Sequence, residues 1–299
     1  MSDSKASSPS AVGALDRAVV VTGASTGIGR AAVASAVRAG SQVFGSVRKQ
    51  SDADSLTKEF GAVVTPLIFD VADDAAVRAG AAQVATALGS RRLFGLVNNA
   101  GIAVPGPLLH LGTDELKRQF EINLFGVHRV TQAFAPLLGG DPTRTGQPGR
   151  IVMISSVAGE NGSPFVGPYA ASKFALEGYS QSLRRELMLF GIDVIVIGPG
   201  AIVTPIWDKA EDSGLQHYAH TVFGPAMEKV AAYMLKAGRE GLPASDVGDL
   251  IWRCLSIAQP KARYAILSHP FRDRLLPRLL GTRRLDRIIA SRLGFPKPE

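Results

Sequence analysis

The stretch T-G-A-S-T-G-I-G, Thr22–Gly29, decides how the rest of the chain is read. An apolar run, Ala18–Thr22 (A-V-V-V-T), leads into it, and an alanine-rich segment, Gly27–Ala39, leads out of it and stops at Gly40. An unbroken apolar run suits a strand covered on both faces, and the alanine-rich segment has helical composition. Gly23 permits a tight turn, Gly27 lets a ligand approach the backbone, and Gly29 lets the helix lie close to the strand. Free N–H groups and the positive dipole end of such a helix favour phosphate. The spacing is G-x-x-x-G-x-G rather than G-x-G-x-x-G, so taken alone the turn also reads as a glycine-rich connection without a ligand.

The same alternation runs outward from this turn. Strands are expected at Gln42–Val47, Val63–Phe69, Leu93–Val97, Ile151–Ser155, Asp193–Ile197 and Arg263–Leu267. Helices are expected at Asp73–Leu88, from Thr113 behind the capping sequence T-D-E, and at Pro168–Phe190. Strands separated by helices predict an α/β fold, a doubly wound parallel sheet of about seven strands with helices on both faces. The chain of 299 residues, 46% hydrophobic and 20% charged, is long enough for one large domain or two smaller ones. The turn-rich loop Gly139–Gly149 reads as a surface excursion.

A single cysteine, Cys254 in I-W-R-C-L-S-I, excludes an internal disulfide and reads as core. No apolar run reaches the roughly 18 residues of a membrane span, and residues 1–16 lack the apolar core of a signal peptide and read as a disordered arm. A cytoplasmic location follows as the expectation. The net charge of +7 lies in the last segment: Lys261–Glu299 holds ten Lys or Arg and three Asp or Glu, a difference of 7.

Two further motifs bear on chemistry. N-N-A-G, Asn98–Gly101, follows the fourth expected strand, where strand ends line a ligand crevice; a turn satisfied by local asparagine hydrogen bonds is the plainer reading. Y-A-A-S-K, Tyr169–Lys173, places a phenol and an ammonium on one helix face. A tyrosine of ordinary pKa, about 10, is too weak an acid for proton transfer near neutrality, and a nearby ammonium lowers it. Ser156, thirteen residues earlier in I-S-S-V-A-G, ends the preceding strand with a hydroxyl suited to holding a substrate oxygen.

With these motifs in this order, together with Pro199–Gly200, the chain resembles the short-chain dehydrogenase/reductase family over residues 17–206. The resemblance implies a single Rossmann-type catalytic domain, 17–268, and hydride transfer between NAD(P) and an alcohol or carbonyl, with a segment near 206–242 covering the substrate. It implies Tyr169 as acid/base, Lys173 as the residue that lowers the tyrosine pKa and holds the nicotinamide ribose, and Ser156, rather than Ser155, as the substrate-orienting serine. Asn123 in F-E-I-N-L-F-G matches the asparagine that kinks the fourth helix and holds a relay water; by composition alone it reads as a structural mid-helix residue. Cofactor contacts are implied for Gly23, Ser25, Thr26, Gly27, Ile28, Gly29, Asp70, Val71, Asn99, Ala100, Gly101, Pro199, Gly200, Ile202 and Thr204.

The family's NAD-preferring members end the second strand with an acid. Val47 stands there, followed by Arg48, whose planar donors suit a 2′-phosphate, with Ser46 as a further hydroxyl. NADP is therefore the expected cofactor, with NAD as the alternative, and a solvated Arg48 and Lys49 as the plainer reading. Trp207, Tyr218, Phe223, Met227, Tyr233 and Met234 suggest an apolar small-molecule substrate of steroid or retinoid type, or else simple core packing. Phe165 and Val166 are expected near it; Glu160 and Asn161 offer a polar contact or plain exposure.

The basic tail, 269–299, carries two apolar stripes: Leu275, Leu276, Leu279 and Leu280, then Leu285, Ile288, Ile289 and Leu293. Such a segment packs on its own domain or a subunit, or lies peripherally on an anionic membrane. Nucleic acid is not an expected partner, because no recognisable module or interleaved aromatics accompany the arginines. The family implies a homodimer or homotetramer. A non-enzymatic dinucleotide sensor on the same fold is the alternative function.

Overall fold

The computed structural model describes residues 17–204 and 215–295. The expected N-terminal arm and Trp207 lie outside the described residues.

Strands β1 (Ala18–Val21), β2 (Gln42–Val47), β3 (Val64–Ile68), β4 (Gly95–Asn98), β5 (Arg150–Ile154) and β6 (Asp193–Pro199) are joined by β9 (Arg263–Ile266) in one sheet. Its order is β3-β2-β1-β4-β5-β6-β9 and every pairing is parallel. A short parallel pair, β7 (Ile202–Val203) with β8 (Leu242–Pro243), stands beside it. The helices are α1 (Gly27–Arg38), α2 (Gln50–Phe60), α3 (Asp74–Leu88), α4 (Thr113–Phe120), α5 (Gly126–Ala135), α6 (Gly167–Leu187), α7 (Gly224–Arg239), α8 (Ala244–Ser256), α9 (Leu276–Leu280) and α10 (Thr282–Leu293).

The period of two along β1 builds both cores. Ala18 and Val20 point to the side covered by α3, α5 and α6, among Val77, Val84, Val130, Phe134 and Leu176. Val19 and Val21 point to the side covered by α1, α2 and α8, among Val33, Leu56, Val247 and Ile251. The expected doubly wound sheet of seven strands is thus the observed one. The sequence reading names neither α2 nor α8. In α2 only Ala53 and Leu56 are buried, too few apolar positions to mark a stripe.

Cys254 lies in this second core, completely buried, and burial pushes its thiol up to about 12. The loop Gly139–Gly149 is bound to the entry of β4. Thr145 N donates to Ser90 O (2.8 Å), Arg92 N donates to Thr145 O (2.9 Å), and Arg144 Nη1 donates to Gly89 O (2.9 Å). Among the described residues no helix is long and apolar enough to cross a membrane.

Helix α8 is held at both ends of its packing surface. Gly248 meets α1 backbone to backbone: a Cβ there would stand 2.5 Å from Ala31 O. At its C-terminus, Arg150 Nη1 donates to the carbonyls of Cys254 (2.9 Å), Leu255 (2.9 Å) and Ile257 (2.6 Å). These are the carbonyls a helix end leaves unsatisfied. Arg150→Met is expected to cost about 1–3 kcal/mol and to lower the melting temperature in a calorimetric scan, with Arg150→Lys recovering part of the loss. A melting temperature equal to the parent's would remove Arg150 from the account of how α8 is held.

Candidate active site

The carboxyl ends of β1 through β6 lie along one edge of the sheet, and nearly every sequence-predicted site residue falls there. The turn after β1 is built by glycines that no other residue replaces. Gly23 has φ +65° and Gly27 has φ +57°, in the region that favours glycine. A Cβ on Gly23 would come within 3.0 Å of Ala100 Cα, one on Gly27 within 3.1 Å of Thr204 Cγ2, and one on Gly29 would collide with Gly23 O. Thr26, ahead of α1, makes no side-chain cap, and the first turn of α1 carries no acid. The helix start is therefore open to an anion, with Ser25, Thr26 and Ile28 around it. A dinucleotide's pyrophosphate fits this cradle by the same physics that the bare glycines require.

Neighbouring strands buckle the turn in place. Thr22 Oγ1 accepts from Asn99 N (2.9 Å) and Ala100 N (3.0 Å). Asn99 Nδ2 donates to Thr22 O (2.9 Å) and Gly23 O (3.1 Å). The N-N-A-G stretch thus does structural work on the first turn, and Thr22 is a participant the sequence reading passed over. Ser46 belongs to the same framework. It is buried, and its Oγ accepts from Gly23 N (3.2 Å), which ties β2 to the turn. Arg48, next along, is 65% exposed and leans toward Asp70, with Nη1 3.9 Å from Oδ2. Asp70 Oδ1 accepts from Ala72 N (3.0 Å), and Val71 is buried. Pro199 ends β6, Gly200 N donates to Ile266 O (2.9 Å), and Ile202 is buried in β7.

Ser156, Tyr169 and Lys173 are brought together at the middle of this edge. Ser156 follows β5 and opens a tight turn, Val157–Gly159, accepting from Ala158 N at 3.1 Å. Tyr169 sits in the first turn of α6, where burial raises its pKa above 10.0 and a hydrogen bond from Ser156 opposes that rise. Ser155 Oγ, by contrast, has no hydrogen-bond partner among the described residues. Lys173 is buried one turn on. Its Nζ donates to Ile154 O (2.8 Å) and lies 5.7 Å from the Tyr169 ring centroid. Burial lowers its pKa from 10.5 to about 8, and the Glu177 carboxylate pulls the other way. The ammonium donates to the strand, and loss of hydration is the largest influence on both groups.

Asn123 lies in a widened, π-type turn, Glu121–Phe125, between α4 and α5. Such a turn frees side chains and backbone from the ordinary helical ladder. Asn123 Oδ1 accepts from Ile102 N (2.9 Å), while Nδ2 donates to Ile102 O (3.0 Å) and Ser172 Oγ (3.0 Å). Ser172 Oγ in turn donates to Tyr169 O (2.8 Å). Asn123 braces α6 against the segment after Gly101, a bridge that composition alone does not reveal.

Glu160 and Glu177 are both paired with arginines, and sequence reasoning missed Glu177 altogether. Glu160 was open to reading as an exposed side chain, but it is only 14% exposed and pairs with Arg263 and Arg274. Glu177 is buried and pairs with Arg263. The available signal was its place four residues after Lys173, on the same helical face.

Beside the centre, Phe165, Tyr218 and Met227 are buried in one apolar cluster, against which Phe223, Val230, Leu293 and Phe295 pack. Phe165 has φ +64°, costly for a bulky side chain. Tyr233 is exposed. The tail does not form one continuous amphipathic helix, because Gly281 at φ +69° separates α9 from α10. Leu275 and Leu279 are exposed, so the first expected stripe is not a buried row. Leu293 instead carries the tail back onto the cluster, with Lys229 Nζ donating to its carbonyl (3.2 Å).

Comparison with known proteins agrees with this fold. The family described as short chain dehydrogenase matches residues 17–214. The chain is 37% identical over 272 residues to the NADPH-dependent 3-dehydrocapnine reductase of Ornithobacterium rhinotracheale, covering 91% of this chain and 95% of that one. It is 34% identical over 197 residues to the 3-ketodihydrosphingosine reductase of Bacteroides thetaiotaomicron, 66% of this chain and 68% of that protein. A solved short-chain dehydrogenase from Streptomyces avermitilis superposes with a TM-score of 0.71 at 27% identity, covering 93% of this chain and 97% of its own.

Asn99→Ala is expected to release the Gly23 turn and weaken NADPH binding about tenfold or more, read by quenching of tryptophan fluorescence. An unchanged dissociation constant would show that the turn holds its shape without the asparagine.

Proposed function

Because the chain belongs to the short-chain dehydrogenase/reductase family and so is an NAD(P)-dependent oxidoreductase acting on CH–OH and C=O groups, we propose that it reduces an apolar ketone or aldehyde with NADP as the preferred dinucleotide. The observation that carries this reading is the meeting of Ser156, Tyr169 and Lys173 at the edge of the glycine cradle. Tyr169 is protonated at neutral pH, and burial works against release of its proton, so the proton is given to the carbonyl oxygen only as that oxygen gains negative charge. The reducing direction is supported by the two relatives named as reductases.

In this reading the turn Gly23–Gly29, with Asp70, Val71, Asn99–Gly101, Pro199, Gly200, Ile202 and Thr204, holds the dinucleotide. When bound, the dinucleotide supplies the hydride equivalent to the carbonyl carbon. Ser156 Oγ donates to the carbonyl oxygen and orients it. Tyr169 Oη delivers a proton to that oxygen. The Lys173 ammonium stabilises the phenolate left behind. Asn123 keeps α6 in register with the loop after Gly101, so that Tyr169 Oη and Ser156 Oγ face one point.

An apolar substrate is supported by the cluster around Phe165, Tyr218 and Met227 and by two relatives named for 3-dehydrocapnine and 3-ketodihydrosphingosine reduction. NADP is supported by Val47 in place of an acid, by the exposed Arg48, and by the NADPH named for one relative. Exposed Phe125 and Phe174 support assembly into a homo-oligomer. Exposed Phe271, Leu275 and Leu279 among arginines support peripheral contact with an anionic membrane.

Tyr169→Phe is expected to lower kcat at least 10²-fold while leaving the NADPH dissociation constant within twofold of the parent; normal turnover would rule out Tyr169 as the proton donor. For ketone reduction, kcat/KM reports the free protein and should fall as pH rises through about 8, where Lys173 loses its charge; a flat profile from pH 7 to 9.5 would contradict that assignment. Arg48→Ala should weaken NADPH about tenfold and NADH little, and Val47→Asp should move preference toward NADH. Equal losses for both dinucleotides would return Arg48 to the solvated surface.

A further inference from the structure

Four buried or partly buried charges alternate in sign across four separate elements beside the reaction centre. Glu177, on α6, accepts from Arg263 Nε (3.2 Å to Oε1, 3.1 Å to Oε2) and from Arg263 Nη2 (3.1 Å). Arg263, on β9, places Nη1 3.1 Å from Glu160 Oε1. Glu160, in the turn that Ser156 opens, accepts from Arg274 Nε (2.9 Å) and Nη2 (3.1 Å). Arg274 belongs to the turn Phe271–Leu275, at the start of the C-terminal segment.

Two glycines make the crossings possible. Arg263 reaches α6 over Gly198 of β6, where a Cβ would collide with Arg263 Nη2 and stand 3.4 Å from Ser156 O. Gly159 lets the Ser156 turn lie on α6. A Cβ there would stand 3.1 Å from Lys173 O and 3.1 Å from Glu177 Cγ.

We propose that the charge chain Glu177–Arg263–Glu160–Arg274 is a positioning device, which fixes the Ser156 turn against the Lys173 face of α6 and makes that fixation depend on docking of the C-terminal segment. It rests on the reading of Ser156, Tyr169 and Lys173 given above. The hydrogen bonds within the Ser156 turn are local ones, Gly159 N to Ser156 O (3.0 Å), Glu160 N to Val157 O (3.0 Å), Asn161 N to Val157 O (3.1 Å) and Ala158 N to Ser156 Oγ (3.1 Å). Glu160 is the side chain through which the turn is held from outside by charge. A buried carboxylate that loses one cationic partner is left short of compensation, so the turn does not keep its place passively. Arg263 alone, without Arg274, leaves one Glu160 oxygen without its bidentate partner. None of the four residues touches the reacting atoms; they act through Ser156 and Lys173.

The test uses the full chain and Glu160→Gln, Arg274→Gln, Arg274→Lys and the double variant Glu160→Gln/Arg274→Gln. The readout that needs no substrate is amide hydrogen exchange, which reports local opening. Arg274→Gln and Glu160→Gln are each expected to speed exchange at Ala158–Glu160 about tenfold, with α3 amides unchanged. Arg274→Lys should restore most of the protection, and the double variant should be no worse than Glu160→Gln, as expected for two members of one chain. With saturating NADPH and the aliphatic ketone that the parent reduces fastest, kcat should fall about tenfold or more while KM for NADPH stays within twofold. Unchanged exchange at Ala158–Glu160 in both single variants overturns the proposal, and so do additive losses in the double variant. Tyr169→Phe run alongside separates the two readings. If Tyr169→Phe is inactive while Glu160→Gln and Arg274→Gln keep the parent's exchange and kcat, only the positioning role falls. If Tyr169→Phe turns over normally, the assigned reaction centre falls and the positioning role falls with it.

Discussion

The approach of one backbone to another at Gly23 and Gly29 is the contact on which the rest depends. With any side chain at residue 29, α1 would be pushed off the end of β1. The helix start would then no longer face the crevice, and the Thr22–Asn99 buckle would lose its geometry. Because β4 lies next to β1 in the sheet, that buckle transmits the position of the first turn to the middle of the sheet. There β5 delivers Ser156, and α6 delivers Tyr169 and Lys173. The cradle and the candidate reaction centre are thus one continuous assembly of successive strand ends.

Burial then sets the chemistry. Dehydration raises the Tyr169 phenol and lowers the Lys173 ammonium, so the two groups are driven toward neutrality from opposite sides. Glu177 resists this for the lysine. A carboxylate left alone beside the buried lysine would itself be costly to bury, and Arg263 compensates it. Each charge placed near the centre has therefore required another, and the sequence of demands runs outward until it reaches the half-exposed Arg274.

Much of this was legible in the sequence because the relevant physics is local. The run A-V-V-V-T, the glycine turn and the alanine-rich helix follow each other within about twenty residues, and one-sided or continuous burial leaves a periodic trace. Spacing likewise put Tyr169 and Lys173 on one face. What was not legible depends on residues far apart in sequence. Arg150 caps a helix more than a hundred residues later. Ser46 accepts from Gly23 N across 23 positions. Glu160 and Arg274 meet across 114 positions. Helix α2 left no trace because it buries only two side chains. Spacing gives the face that Tyr169 and Lys173 share but not where the ammonium is aimed, which is Ile154 O.

The passage of Arg263 over Gly198 has a consequence for inheritance. The glycine is empty because the arginine fills its space, and the arginine reaches Glu177 because the glycine is empty. A lineage that replaces Gly198 first meets a clash, and one that replaces Arg263 first takes the arginine partner from the buried Glu177. The two positions are therefore expected to pass through evolution as a pair, so that the bare hydrogen on Gly198 records a partner on a neighbouring strand rather than a feature of its own.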